Sequence, residues 1–286
     1  MLTLDQLAIF DLYLWLEREA AVADLLRLHQ STVSRQVRAS LVTMQLQLDA
    51  TAAHRTLLGD TELLQAERCV HQLARLRGRA PLRIDGTYAS GPWLLNPPPQ
   101  GWLVGRFDLP GMARPLQLLR DRVIDAWVGS YQPDLPDPDD PEWWVLDLFR
   151  EPVELLAAPD HPLAGVSGLQ RGDLDPFPSL ALPPGWFPKT EQILRAQGLW
   201  SDPVRIQRYD PAYWEGRCAD GVTLTYGQSL TEALQPGTVR LDWNLGLLTG
   251  EALVVRRDLQ EEPPIQRLAE HLLKKAVAVS GRFADV

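Results

Sequence analysis

Proline is missing from the first 80 residues: all 24 prolines lie at Pro81 or later. That stretch has only Gly59 and Gly78 as glycines, a single tryptophan, Trp15, and no lysine. A segment so poor in helix breakers reads as almost wholly helical. Cysteine is scarce throughout. Cys69 and Cys218 are far apart, which excludes a disulfide framework and fits a reducing cytoplasm. No apolar run approaches the roughly 20 residues that cross a bilayer, so no membrane partner is expected. The start, MLTLDQLAIFD, has an acid where a secretory signal needs basic residues. Catalytic signatures are missing too. There is no Walker loop and no GxGxxG, and His29, His54, His71, His161 and His271 have no ligand-spaced partners. Asp160-His161 lies in a turn between Pro159 and Pro162 and reads as structural. Neither an enzyme, a metal centre nor a cofactor is expected.

The 286 residues, 45% hydrophobic and 23% charged, are enough for two globular domains. Composition places the boundary at Arg77 to Pro81: a near-neutral helical head precedes an acidic body that carries the formal charge of −9. Such a charge excludes a protein that coats nucleic acid by bulk electrostatics, but not a small DNA-reading module on an acidic body.

In the head, Leu4, Leu7, Phe10 and Leu14 recur at helical spacing, which predicts a first helix to about Leu16. A shorter helix, Ala20 to Leu26, follows. His29-Gln30-Ser31 then offers a turn and a Ser N-cap to a third helix near Thr32 to Leu41. Val33 and Val37 face inward, leaving Gln30, Ser31, Thr32, Ser34, Arg35, Gln36 and Arg38 outward with no acid among them. That set suits a major groove: Arg reads guanine, Gln reads adenine, and hydroxyls hold phosphates. From Leu58 on, Gly59, Leu63, Ala66, Val70 and Leu73 form an apolar seam of heptad spacing about 20 residues long, widened by Leu64 and Leu76.

From Leu7-Ala8-Ile9-Phe10 to Ser34-Arg35-Gln36-Val37-Arg38 the chain resembles the winged helix-turn-helix of LysR-type transcriptional regulators. There are departures: Arg18 replaces a small Ser before helix two, Ser31 replaces a Pro, and Leu48-Asp49-Ala50-Thr51 stands where the wing usually carries Leu-Phe-x-Arg. The resemblance implies that the seam is a linker helix pairing two subunits.

In the body, Pro81 to Gly86, Gly101 to Phe107 and Ala126 to Gly129 read as strands and Leu116 to Arg122 as a helix, an alternation that argues for a parallel sheet. Only Asn96 to Gln100 separates Leu95 from the second strand, so the helix between them should be cut short. Glu151 to Leu163 (EPVELLAAPDHPL) resembles the point where the effector domain of the same regulators crosses to its second lobe. Gly221 to Tyr226, Leu253 to Arg257 and Pro264 to Leu273 resemble later parts of that domain.

The expected architecture is therefore α/β with an all-α N-terminal head. A winged helix-turn-helix spans 1–58, a dimerising linker helix 59–80, and a two-lobed effector-binding domain 81–286, its second lobe about 152–255. The implied function is cytoplasmic transcription regulation, with double-stranded DNA, a small-molecule effector and a second or further copies of the chain (homodimer or homotetramer) as partners. A ligand-sensing or solute-binding protein whose DNA-binding head has decayed to a dimerisation module is the alternative, favoured by the weak wing. Because α/β sheets bind ligands at the carboxyl ends of their strands, the effector residues are expected at Thr87, Tyr88, Ser90, Gly129, Ser130, Gly185, Trp186, Lys189, Thr225 and Tyr226. Hydroxyls, helix N-termini and Lys189 favour a small organic acid.

Overall fold

The computed structural model describes every residue except 53, 110, 131, 207, 211–212, 229–236 and 284–286, so the end of the expected effector-binding segment lies outside the described residues. The chain divides into two compact units. The first comprises Met1–Asp85, Pro98–Arg106 and Arg114–Trp127; the second comprises Gly86–Pro97, Phe107–Ala113 and Val128–Val286.

The first unit starts with α1 (Leu4–Leu16), opened by a capping box: Thr3 Oγ1 accepts from Gln6 N–H and the Gln6 side chain accepts from Thr3 N–H. Leu7, Phe10 and Leu14 are buried as their spacing predicts, whereas Leu4 is 55% exposed, lying at the open end of the helix. α2 (Glu19–Leu26) buries Val22 and Ala23. α3 (Gln30–Met44) buries Val33, Val37, Ser40 and Met44. It begins at Gln30, with His29 as the extended N-cap residue, so Ser31 is an exposed helical residue rather than the cap. β1 (Gln47–Leu48) and β2 (Leu57–Leu58) pair antiparallel as a short wing.

α4 (Glu62–Leu76) is amphipathic the unusual way round. Leu63, Val70 and Leu73 are 52%, 64% and 49% exposed, while Glu67, Arg68, Gln72 and Arg75 are buried beside Leu64 and Leu76. The polar face finds its partners inside. Arg68 pairs with Asp11 of α1 at 2.8 Å, and both side chains are 1% exposed. Arg75 grips Asp125 with Nε and Nη2, each at 2.8 Å, and Gln72 Nε2 donates to the same carboxylate at 2.9 Å. Arg83 joins from β3 (Leu82–Gly86): its backbone N–H donates to Asp125 and its guanidinium lies 3.5 Å from Asp11. Burial, reinforced by the charge of Arg75, pushes Arg83 down to about 10, against the pull of Asp11 and Asp125. Trp15 Nε1 donates to Asp85 at 2.6 Å. Gly105 is required beside that carboxyl, because a Cβ there would lie 2.3 Å from it. β3 pairs in parallel with β4 (Trp102–Val104), and α6 (Ala113–Arg120) buries Leu118 and Leu119.

The second unit contains α5 (Gly91–Leu94), the predicted shortened helix at four residues. β5 (Ala126–Gly129) crosses between the units along the chain. β6 (Trp143–Ala157) and β10 (Val239–Arg256) pair antiparallel from Trp143↔Arg256 to Ala157↔Val239, and β9 (Thr225–Gly227) pairs antiparallel with the other edge of β6. The purely parallel sheet expected from the strand–helix alternation is thus mixed. The chain leaves on β6 and returns on β10, so those strands must run in opposite directions. β10 alternates buried and exposed residues from Leu241 to Thr249, then is buried continuously to Val255. Gly250 sits at the change, where a Cβ would lie 2.0 Å from Phe149 O. β7 (Leu180–Ala181) and β8 (Asp202–Pro203) form a small parallel pair. α7 (Arg171–Leu174), α8 (Pro188–Arg195) and α9 (Pro263–Phe283) complete the element order. His161 is structural, as its turn suggests: Nδ1 accepts from Leu163 N–H and Nε2 donates to Val222 O.

Candidate functional site

The outward face of α3 is the first candidate. Gln30, Ser31, Arg35 and Arg38 are exposed and Thr32, Ser34 and Gln36 half-buried, with no acid in the first turn. Arg35 lies along the helix, Nε donating to Ser31 O at 3.2 Å and Nη2 to Thr32 Oγ1 at 3.4 Å. Gln30 Nε2 reaches Glu19 of α2 at 3.4 Å. These bonds are long and solvent-exposed, so the side chains can exchange them for base edges at small cost. In the wing, Asp49 accepts from Thr51 N–H and Oγ1, which hold its carboxyl below the usual range. The basic residue present there, Arg55, stacks over the Tyr13 ring at 5.6 Å.

The second candidate is a small cleft in the second unit, with a cavity volume of about 30 Å³, where the segment after β3 meets the end of β5, β6, β9 and β10. Tyr88, Ser130 and Tyr226 line it as expected, together with Ala89, Val153, Gly227, Gln228 and Thr249. Three expected hydroxyls form one network: Thr87 Oγ1 lies 2.9 Å from both Ser90 Oγ and Ser130 Oγ. Tyr88 stacks on Tyr209 with ring centroids 3.6 Å apart. Gly129 ends β5 next to Ser130, and Thr225 is wholly buried in β9, opposite Leu156.

Gly185, Trp186 and Lys189 are not among the cleft's lining residues. Trp186 faces Gly111, and Gly185 and Lys189 are exposed. The start of α8 already holds an anion of the chain's own: Lys189 N–H, Thr190 N–H and Thr190 Oγ1 all donate to Asp134, at 2.7, 3.0 and 2.5 Å. A carboxylate therefore occupies that helix start without any external acid.

Sequence reasoning missed the residue at the cleft's base. Glu251 is fully buried in β10, its Oε1 accepting from Ser130 Oγ at 2.5 Å and Gln228 Nε2 at 3.2 Å. A lone acid in the apolar run Leu245 to Val255 was the available signal. Burial pushes its carboxyl up to about 8 from an ordinary 4.5; the bonds from Ser130, Gln228 and Ser90 oppose this, and the charge of Glu151 adds to it. Folding therefore takes up a proton. The contribution is complete below about pH 4.5 and is lost as pH rises through about 8. Stability should fall by on the order of a few kcal/mol between these limits. Glu251→Gln should flatten that slope in urea titrations at pH 5.5, 7 and 8.5; an unchanged slope would contradict a protonated Glu251.

Two further features bear on what the chain is. Among the described residues, no helix is long and apolar enough to cross a membrane, and no group of His, Cys, Asp and Glu is placed to hold a metal. Residues 108–277 match the family model of the LysR substrate binding domain. No curated protein matches the chain in sequence. Solved structures do match in fold. Full-length OxyR from Pseudomonas aeruginosa, as a variant, is 18% identical with TM-score 0.58, covering 96% of this chain and 95% of its own. The H2O2-bound OxyR mutant of Corynebacterium glutamicum is 19% identical with TM-score 0.53, covering 99% and 97%. Full-length CbnR complexed with its target DNA is 17% identical with TM-score 0.53, covering 96% and 99%. With the family model covering more than half of the chain, and the head-to-tail fold agreeing, the chain belongs to the LysR family of transcriptional regulators.

Proposed function

We propose that this regulator reads double-stranded DNA through α3, pairs with a second copy through α4, and binds a small effector in the cleft beneath Tyr88 and Tyr226. The segments expected from the sequence serve these roles: 1–58 for DNA, 59–80 for pairing, and 81–286 for the effector, with a second lobe about 152–255. Gln30, Ser31, Thr32, Ser34, Arg35, Gln36 and Arg38 form the reading face. The acid-free, outward Arg35 and Arg38 on a helix anchored by buried Val33 and Val37 carry this reading. Support comes from the CbnR–DNA complex, a regulator of the same fold bound to its target. The protein works in the cytoplasm, where its DNA is, and has no catalytic step of its own. An effector acts by binding one arrangement of the assembly better than another, which shifts the spacing of the heads.

Arg35→Ala should weaken binding to the promoter region upstream of its own coding sequence by about 1–3 kcal/mol, the scale of one good Arg contact. Mobility shifts at two salt concentrations check it. Because Arg55 lies over Tyr13, the salt dependence should be shallower than for a wing with an extended arginine. If neither the wild type nor the variant binds in a salt-sensitive manner, the head is a decayed module that only dimerises.

A further inference from the structure

A larger cavity lies within the first unit, with a volume of about 380 Å³ and no lining residue in common with the cleft of the second. The end of α1, the wing, α4 and α6 supply its walls. Two charges of the chain tie these walls together. Arg114 of α6 donates through Nη2 to Leu14 O at 2.5 Å and to Arg55 O at 3.2 Å. The same nitrogen lies 3.4 Å from Glu17, the left-handed residue that ends α1, and Glu17 accepts from Arg55 N–H at 3.2 Å. Arg68 also lines the cavity, and Asp11 answers its charge at 2.8 Å. Two lining charges of opposite sign are left. Arg55 is exposed on the wing, its guanidinium over the Tyr13 ring, and no acid forms an ion pair with it among the described residues. Asp121 is half-buried just beyond α6 and accepts at Oδ1 from two neutral amides, Gln65 Nε2 at 3.0 Å and Gln117 Nε2 at 2.9 Å. No cation forms an ion pair with it among the described residues.

A carboxylate only accepts, so both amides must turn their nitrogens to Asp121. Their carbonyl oxygens are then left as acceptors next to a negative charge, a set that fits an ammonium group. The planar fork of Arg55 fits a carboxylate. A ligand with one charge would leave the other wall charge unanswered, whereas a ligand with one charge of each sign answers both and keeps the site neutral. We propose that this cavity is a second ligand site and that it takes a small zwitterionic amino acid. Its ammonium meets Asp121, Gln65 and Gln117, and its carboxylate meets Arg55. Leu57, Leu118 and Val123 suit the carbon chain between them, and the volume lies in the range of small-ligand pockets. Bound there, the ligand bridges the wing to α6.

The test titrates the full chain at pH 7 with glycine, β-alanine and γ-aminobutyrate, each against the alkylamine and the alkanoate of the same length. Calorimetry and thermal shifts report binding, and the three lengths read the separation of the two wall charges. The best zwitterion should bind about tenfold or more tightly than either singly charged partner, the scale of one hydrogen bond to a charged group. Asp121→Asn should remove that advantage over the alkanoate, and Arg55→Gln the advantage over the alkylamine. Such a crossed pattern does not arise from a general loosening of the fold. If Asp121→Asn does not fold, Arg55→Gln, at an exposed position, still decides. No zwitterion bound more tightly than its singly charged partners, or a zwitterion preference untouched by the variants, would overturn the proposal. Mobility shifts with DNA on the same samples are a separate outcome: their failure refutes the regulator reading and leaves this site as it is.

Discussion

Asp125→Ala should lower the unfolding free energy by about 3–5 kcal/mol, the cost of removing one partner from a buried ion pair. Asp125 is wholly buried and receives Arg75 through two donors, Gln72 through its amide, and the Arg83 backbone N–H. Without it, among the described residues Arg75 keeps only the Arg122 carbonyl as an acceptor while remaining 4% exposed. The cost is that of an uncompensated buried guanidinium, not of one lost hydrogen bond. Asp147→Ala provides the contrast. Its ion pair with Arg150 is about half exposed, so its loss should cost at most about 1 kcal/mol. Urea unfolding of both variants measures the difference; a loss at Asp125 no larger than at Asp147 would show that the cluster is hydrated. Replacing the whole cluster by apolar residues of equal volume is a different matter and can be neutral, because the paired charges are desolvated at a cost near what their attraction returns.

Val70→Glu should abolish dimerisation at micromolar concentration without unfolding the chain. Val70 is 64% exposed and lies between Leu63 and Leu73, each about half exposed, with Ala66 on the same side. Within one chain, glutamate at this position would meet only water. In a seam with a second copy it would be a buried charge facing apolar side chains, which costs several kcal/mol, so the dissociation constant should rise by about 100-fold or more. Sedimentation velocity reports the mass and circular dichroism the fold. Val70→Leu should keep the dimer. If the glutamate variant sediments like the wild type, copies associate through some other surface.

Much of the head was legible in the sequence. Freedom from proline and the repeat of Leu7, Phe10, Leu14, Val33 and Val37 depend only on chain-local periodicity, and the structure buries all five. The heptad spacing picked out Leu63, Val70 and Leu73 as one stripe for the same reason. What local spacing could not show is that the other face of α4 is a buried polar surface. Arg68 and Arg75 look like solvent-facing residues until Asp11 and Asp125, 57 and 50 residues away, are brought against them.

The proposed effector site divides similarly. The rule that ligands sit at strand ends found Thr87, Tyr88, Ser90, Ser130 and Tyr226, because strand ends follow from local pattern. Lys189 looked like the anion-binding group because the sequence does not reveal that Asp134 folds onto the α8 start. Glu251 was passed over inside an apolar run, where period-2 reasoning treats an acid as an edge or an interruption. The sequence by itself determined the helix faces, the strand ends and the order of segments, all properties of neighbours in the chain. Tertiary structure alone decided which charges are neutralised and which hydroxyls meet the buried carboxyl. Those depend on partners brought together from distant segments and on how far water is excluded between them.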